Sequence, residues 1–216
     1  MKVPMRTFLA AGLVAAVAAL FAGSAEAARF ETVRSARNTI GIVVSGKIMP
    51  GDDRRFDRIA RGVKDAVVIL DSPGGDGMAS LSIGITVRSR GFTTVVLPGA
   101  DCASGCALIW LAGVRRFAHD TSAIGFYAAA TSGRDGRLRL SREGNALVME
   151  YLVALGYNRE TARRLVSAPP ESMFWLSHRT ARQLGIETGR IRVPETPTTP
   201  SRRATGEWFR VDGSQR

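Results

Sequence analysis

Short apolar runs alternate with amphipathic stretches along the chain from residue 39 onward. The β-branched runs predict strands over residues 40–44, 66–70, 93–97 and 123–127. Between them, apolar residues recur every three or four positions, as they do on one face of a helix. This alternation is typical of βα units that form a largely parallel sheet.

Three helices of different character are predicted in the first half. They cover residues 54–63, 77–91 and 104–111, and the third is apolar on nearly every side, so we expect it to be buried. The first helix is expected to have Phe56, Ile59, Ala60 and Val63 on one apolar face. The second contains the apolar residues Met78, Leu81 and Ile85.

The second half is predicted to be mainly helical. Ser141, Asn158 and Ser177 each precede a helical pattern and are suited to cap it. Residues 131–139 are rich in Gly and Arg and predict an exposed loop. Residues 193–216 are dominated by Pro, Thr, Ser and Arg, which favours a flexible polar tail.

Residues 1–27 have the pattern of a secretory signal peptide. Lys2 and Arg6 precede an apolar stretch over residues 8–22, and Ala25-Glu26-Ala27 resembles a small-residue cleavage site. The apolar stretch is shorter than the ~20 residues that a spanning helix needs, which favours cleavage over a permanent anchor. We therefore expect a secreted or periplasmic protein, cleaved after about Ala27, with one domain over residues 28–192.

Composition supports one globular domain and raises the question of a charged partner. The 216 residues are 45% hydrophobic and 23% charged, with a formal net charge of +11. Such a charge invites a nucleic-acid or membrane-surface hypothesis. The arginines are dispersed and not interleaved with aromatic residues, so we predict no nucleic-acid partner. Contact with an anionic surface of the cell envelope stays open.

Two short stretches contain residues suited to catalysis. In Asp71-Ser72-Pro73-Gly74-Gly75, adjacent glycines after a strand allow backbone N–H groups to point at a developing anion. In Cys102-Ala103-Ser104-Gly105-Cys106, a serine stands at a helix N-terminus, where the dipole favours an oxyanion. An ordinary turn and an ordinary helix cap are the structural alternatives. Residues 75–80 lack the last glycine of a dinucleotide fingerprint, and we predict no cofactor and no metal site.

Cys102 and Cys106 are four residues apart and flank Ser104. After export they would lie in an oxidising compartment, where disulfides form and persist. We therefore favour a local disulfide, with two small buried thiols as the alternative.

Four segments in order resemble the proteolytic subunit of Clp proteases, and most closely the exported bacterial Clp-peptidase-like proteins, in which cysteines flank the serine. They are residues 71–75, 103–113, 122–127 and 176–186, within a resemblance that spans about residues 40–191. The resemblance implies the α/β ClpP/crotonase fold, a spiral of ββα units with a C-terminal helical part. It also implies a homo-oligomer that takes a peptide or protein segment in its cleft, whereas nothing points to an ATPase partner.

By position, the resemblance implies Ser104 as the nucleophile. The amides of Asp76 and Gly105 would form the oxyanion hole, with Gly75 in the same loop. The position of the family's histidine base is occupied by Tyr127, and the position of its aspartate aligns best with Met173. A phenol with a pKa of about 10 is a poor base at neutral pH.

Two histidines are candidates for a substitute base. His178 aligns near the family's acid, while His119 is expected at the surface beside Asp120. Neither Lys47 nor Lys64 stands where the Ser-Lys dyad of signal peptide peptidases would need it. The sequence thus predicts an exported serine-peptidase-like protein with weak or altered hydrolase activity. The alternative is a non-catalytic peptide-binding or assembly module.

Overall fold

The computed structural model describes residues 27–35, 38–133 and 135–192, together with the backbone of residues 210–211. The expected signal peptide, apart from Ala27, and nearly all of the expected tail lie outside the described residues. None of the described helices combines the length and hydropathy needed to cross a bilayer.

The described residues form twelve strands and six helices. The strands are β1 (Arg29–Arg34), β2 (Ile40–Ser45), β3 (Ala66–Asp71), β4 (Thr93–Val96), β5 (Asp101–Ala103), β6 (Arg116–Ala118), β7 (Ala123–Phe126), β8 (Ala130–Ser132), β9 (Leu138–Leu140), β10 (Phe174–Trp175), β11 (Gly189–Arg192) and β12 (Arg210–Val211). The helices are α1 (Asp52–Arg61), α2 (Gly77–Ser89), α3 (Gly105–Ala112), α4 (Arg142–Ala154), α5 (Arg159–Leu165) and α6 (His178–Gln183).

The strands form two layers and a separate hairpin. The larger sheet has the order β1-β2-β3-β4-β6-β11-β12, with its five inner strands parallel and each outer strand antiparallel to its neighbour. The smaller sheet has the order β10-β7-β5, in which β5 and β7 are parallel. Strands β8 and β9 pair only with each other among the described residues.

A repeat connects the two layers. Strand β4 in the large sheet is followed by β5 in the small sheet and then by α3. The same order occurs twice earlier in the chain, where a single β-bridge replaces the strand of the smaller sheet. Between β3 and α2, Ser72 is bridged to Cys102, and between β2 and α1, Ile48 is bridged to Gly75. This is the predicted spiral of ββα units, and α4 to α6 form the predicted C-terminal helical part.

One prediction about local structure is wrong, and the apolar residues of α2 are only partly buried. Residues 131–139 do not form an irregular loop, because Ala130–Ser132 and Leu138–Leu140 pair as a hairpin around a turn in which Gly136 has a φ of 74°. In α2, Met78 and Ile85 are 61% and 59% exposed. The buried face contains Leu81, Ile83 and Val87 together with small residues, and a Cβ on Gly84 would overlap the hydroxyl of Tyr151 in α4. Helix α2 therefore buries Leu81 but exposes Met78 and Ile85.

Helix α3 is the centre of the core. All eight of its residues are buried, as predicted from its sequence. A buried helix needs partners for the carbonyls of its last turn. The hydroxyls of Tyr151, Thr94 and Tyr157 donate to the carbonyls of Leu108, Trp110 and Leu111 at 3.0, 2.7 and 2.9 Å. These bonds fix the helix whose first turn follows Ser104.

Candidate active site

Ser104 occupies the sharp turn between β5 and α3. Its backbone has a φ of 56° and a ψ of −123°, and it is one of two non-glycine residues with positive φ in the described part of the chain. Such a conformation costs roughly 1–3 kcal/mol and persists only where the surrounding structure imposes it. The amide of Ser104 donates to the carbonyl of Gly125 at 2.8 Å, and its own carbonyl accepts from Leu108 at 3.2 Å.

A disulfide closes this turn covalently. Cys102 in β5 is bonded to Cys106 in the first turn of α3, with 5.1 Å between the Cα atoms, and both residues are fully buried. The predicted disulfide is therefore confirmed. It ties the end of the strand to the start of the helix on either side of Ser104.

Two glycines bring a second loop against the serine. A Cβ on Gly74, whose φ is 84°, would lie 2.9 Å from the Cβ of Ser104 and 2.8 Å from the amide nitrogen of Gly105. A Cβ on Gly75, whose φ is 146°, would overlap the carbonyl oxygen of Ile48. A side chain at position 74 would therefore push the loop away from Ser104, and one at position 75 would push it away from Ile48.

The amides of this loop are used differently from the prediction. The amide of Asp76, the expected oxyanion donor, donates to the carbonyl of Ile48 at 2.8 Å. The carboxylate of Asp76 accepts from the amide of Ala79 at 2.8 Å and caps α2. Asp76 is therefore a structural residue here, and its amide is not free to bind a second oxygen.

The amide of Gly75, the residue before Asp76, takes the position expected for the amide of Asp76. Gly75 is bridged to Ile48 in parallel, with Gly74 accepting from Ile48 and Asp76 donating to it, so the N–H of Gly75 points to the opposite side. On that side, a Cβ on Gly105 would lie 3.8 Å from the nitrogen of Gly75. Within the described part of the chain, the amides of Gly75 and Gly105 donate to no acceptor. They are the pair of donors beside Ser104.

The positions expected for the base and the acid face each other across two strands. Phe174 pairs with Phe126 and Trp175 with Gly125, and one further step of this antiparallel register would place Met173 opposite Tyr127. The side chain of Met173 covers Gly125, where a Cβ would lie 2.6 Å from its sulfur. The thioether of Met173 cannot take part in a proton relay, because it is only a weak hydrogen-bond acceptor. The half-buried Tyr127 hydroxyl makes no hydrogen bond with another described residue.

His178 lies in a different part of the structure from the Ser104 turn. Its neighbour Leu176 donates to Ile124 on the β10 side of β7, whereas Ser104 lies on the β5 side. Two strand spacings, about 9–10 Å, separate these sides. His178 lies beyond Leu176, in a cavity with Asp120 whose lining does not include Ser104. This placement does not support His178 as a base for Ser104.

The other basic candidates also lie elsewhere. His119 belongs to the turn after β6, and its Nδ1 accepts from the amide of Thr121 at 3.1 Å. Lys47 and Lys64 are both exposed, and Lys64 lies beside the opposite end of β3 from the glycine loop. The site therefore combines a strained serine and two free amides with no histidine or lysine from the described residues.

Comparison with solved structures agrees with the fold. The membrane-bound stomatin-specific protease 1510-N, solved as a serine-to-alanine mutant and as a lysine-to-alanine mutant in complex with a substrate peptide, matches with a TM-score of 0.54 and 19% identity in both cases. The match covers 68% of this chain and 76% and 72% of those chains. A mutant of ClpP1 from Listeria monocytogenes matches with a TM-score of 0.48 and 19% identity, over 68% of this chain and 87% of that chain.

No protein-family model and no curated protein matches the chain. At 19% identity the structural matches define a fold, and that fold is the ClpP-like α/β fold. The chain thus has a ClpP-like α/β fold.

Proposed function

We propose that this protein is a serine acyl-transfer protein of low intrinsic reactivity, with Ser104 as its nucleophile. The observation that supports the proposal is the strained turn at Ser104 beside the free amides of Gly75 and Gly105. Strain at a serine between a strand and a helix is a feature of nucleophile sites. Two donors converging beside it are what an oxyanion requires.

Low reactivity follows from the residues at the relay positions. Tyr127 replaces the base, and Met173, opposite it, replaces the acid. An oxyanion hole without a functional relay retains an acceleration of roughly 10³–10⁴ over water in well-studied serine hydrolases. Ser104 should therefore react with activated acyl or phosphonyl groups and turn over ordinary peptides very slowly.

A peptide or protein segment is the substrate that we propose for the cleft. One of the similar structures is described as a complex with a substrate peptide. In this chain, the hairpin of β8 and β9 begins three residues after Tyr127, and within the described ranges each of its strands is paired on one edge only. An extended peptide adds to such an edge through backbone hydrogen bonds.

Export and self-association complete the proposal. The pattern of residues 1–27 and the disulfide between Cys102 and Cys106 both favour an oxidising compartment outside the cytoplasm. Self-association is supported by the exposed apolar side chains of Met78 and Ile85, which lie seven residues apart on one face of α2.

A second candidate is a non-catalytic module that binds peptides in the same cleft. The loss of both relay residues, Tyr127 for histidine and Met173 for aspartate, favours it. The fold does not decide between the two functions, because the ClpP-like scaffold is compatible with either.

Labelling with a fluorophosphonate probe distinguishes these candidates. The purified chain and the Ser89→Ala control, in which an exposed serine at the end of α2 is removed, should label slowly and equally. Ser104→Ala should not label. No labelling of the parent protein over many hours, with unchanged binding of an extended peptide by Ser104→Ala, would leave the binding module as the function.

A further inference from the structure

The cavity that contains His178 and Asp120 lies between α6, the connection from β6 to β7, and β11, and Ser104 does not line it. Its volume is about 350 Å³, and its lining includes Trp110, Asp120, Ile124, His178, Arg179 and Arg190. Small-molecule sites in proteins typically have ~300–1,000 Å³, so the cavity is large enough for a compact ligand.

One wall of the cavity contains polar groups with incomplete hydrogen bonding. The side chain of His178 is 16% exposed, and its Nε2 is buried without a hydrogen-bond partner. The carboxylate of Asp120 lies 3.5 Å from this nitrogen and 3.5 Å from Nη1 of Arg190. Charge-assisted bonds are normally about 2.7–2.9 Å long, so neither contact uses the full capacity of these groups. A polar ligand would complete them.

The rim of the cavity is cationic. Arg179 on α6 is exposed and has no hydrogen bond or ion pair with another described residue, and Arg190 has only its long contact with Asp120. The lining of the cavity thus contains the two guanidinium groups and one carboxylate. Guanidinium groups bind carboxylates through paired N–H donors, so an incoming anion has donors available on both sides of the cavity.

The floor of the cavity is apolar. Trp110 and Ile124 are 1% and 3% exposed, and Ala118 and Ala181 lie beside them in the lining. The indole N–H of Trp110 already donates to the carbonyl of Phe117 at 3.1 Å. The floor therefore offers contact to a hydrocarbon group and no free donor, which disfavours a fully hydrated ion such as phosphate.

We propose that this cavity binds a small organic carboxylate, with Arg179 and Arg190 holding the carboxylate and the apolar part lying over Trp110 and Ile124. The proposed site is distinct from the Ser104 turn, because the lining of the cavity does not include Ser104. Burial lowers the pKa of His178, and the nearby Arg190 lowers it further, so the imidazole is neutral at pH 7 and the guanidinium groups supply the charge.

Calorimetric titration of the full chain with three probes tests the site. N-acetyl-L-leucine has the carboxylate and an apolar body, N-acetyl-L-leucinamide has the body alone, and inorganic phosphate has the charge alone. We expect saturable binding of the acid at least tenfold tighter than binding of the amide or of phosphate. Equal binding of acid and amide, equal binding of phosphate, or no saturable binding of the acid would overturn the proposal.

Variants of α6 and β11 locate the bound acid. Arg179→Gln and Arg190→Gln should each weaken binding at least fivefold, and they are independent tests on different elements. Arg182→Gln is the matched control, since Arg182 is exposed on the same helix and does not line the cavity. Ser104→Ala should bind the acid unchanged. Loss of binding in Ser104→Ala, or in Arg182→Gln alone, would place the acid elsewhere and overturn the assignment.

Discussion

The amide of Ser104 donates to the carbonyl of Gly125 at 2.8 Å, so strand β7 holds the backbone of Ser104 directly. Two residues after Gly125, the same chain segment supplies Tyr127, at the position where the resemblance to Clp peptidases implies a histidine. The Ser104 turn and the position of the base are therefore parts of one rigid unit. A substitution at Tyr127 should change the chemistry of the site without moving the serine.

Tyr127→His should accelerate labelling of Ser104 by a fluorophosphonate probe. An imidazole has a pKa near neutrality, and a positioned general base contributes typically 10²–10⁴-fold, so we expect at least a tenfold higher labelling rate at pH 7.5. Adding Met173→Asp, which places a carboxylate opposite the new histidine, should increase the rate again. Labelling rates followed by in-gel fluorescence measure both effects.

Tyr127→Phe is the control for this comparison, because it removes the hydroxyl while keeping the ring. Its labelling rate should stay within about twofold of the parent rate. An unchanged rate in a well-folded Tyr127→His variant would show that residue 127 does not reach Ser104. It would also count against the role that the resemblance implies for this position.

Removing the disulfide should lower both stability and reactivity. Cys102→Ala combined with Cys106→Ala opens a five-residue loop, for which loop-closure entropy gives about 2 kcal/mol. The turn at Ser104 would lose the covalent closure that maintains its positive φ, so we expect labelling about tenfold slower. Urea unfolding and labelling of the folded variant measure the two effects separately. Equal labelling by the folded variant and the parent would show that the remaining hydrogen bonds are sufficient to hold the turn.

Tyr151 should contribute to stability through its bond to α3. Tyr151→Phe removes a buried hydrogen bond to the carbonyl of Leu108, which should cost about 1 kcal/mol at pH 7. Burial raises the pKa of Tyr151 above its ordinary value of 10, with a smaller contribution from Tyr157. Above pH 10 the denatured chain loses a proton that the native chain keeps, so the stability of the parent falls as pH rises.

Urea unfolding between pH 8 and 11 measures this alkaline dependence. The curve of Tyr151→Phe should fall less steeply above pH 10 than that of the parent. Parallel curves would show that the phenol ionises equally in the native and denatured states.

His178 should make the protein less stable in acid. Its pKa is lowered from 6.5 by burial, then by Arg190, with a smaller effect of His119, while Asp120 and the backbone of Ala118 oppose the shift. Below about pH 6.5 the denatured chain therefore binds a proton that the native chain resists, so stability decreases as the pH falls. His178→Gln should flatten the dependence between pH 6.5 and 5. An unfolding curve for this variant with the same slope as the parent would contradict the assignment.

Local signals account for much of what the sequence predicted correctly. Ser141, Asn158 and Ser177 cap α4, α5 and α6, and each side chain accepts from the amide three residues later. The four predicted strands also exist, with ends shifted by one residue at most. Such features depend on side chains within one turn or one strand, which the sequence shows directly.

Strands β1, β5, β6, β10, β11 and β12 were not predicted. Their patterns are short, and five of them have four residues or fewer, so the sequence contains little periodicity to detect. They exist because neighbouring strands provide hydrogen-bond partners. The hairpin of β8 and β9 was missed for the same reason.

The sequence by itself determined that a serine flanked by two cysteines follows a strand, and that a pair of glycines lies in the preceding ββα unit. Only the tertiary structure decided which amides face Ser104. A pairing between Ile48 and Gly75, far apart in the chain, uses the N–H of Asp76 and turns the N–H of Gly75 toward the serine. The tertiary structure likewise separated His178 from Ser104 by placing His178 in a cavity whose lining does not include Ser104. Both outcomes depend on the order and register of strands, and these are set by contacts between distant segments.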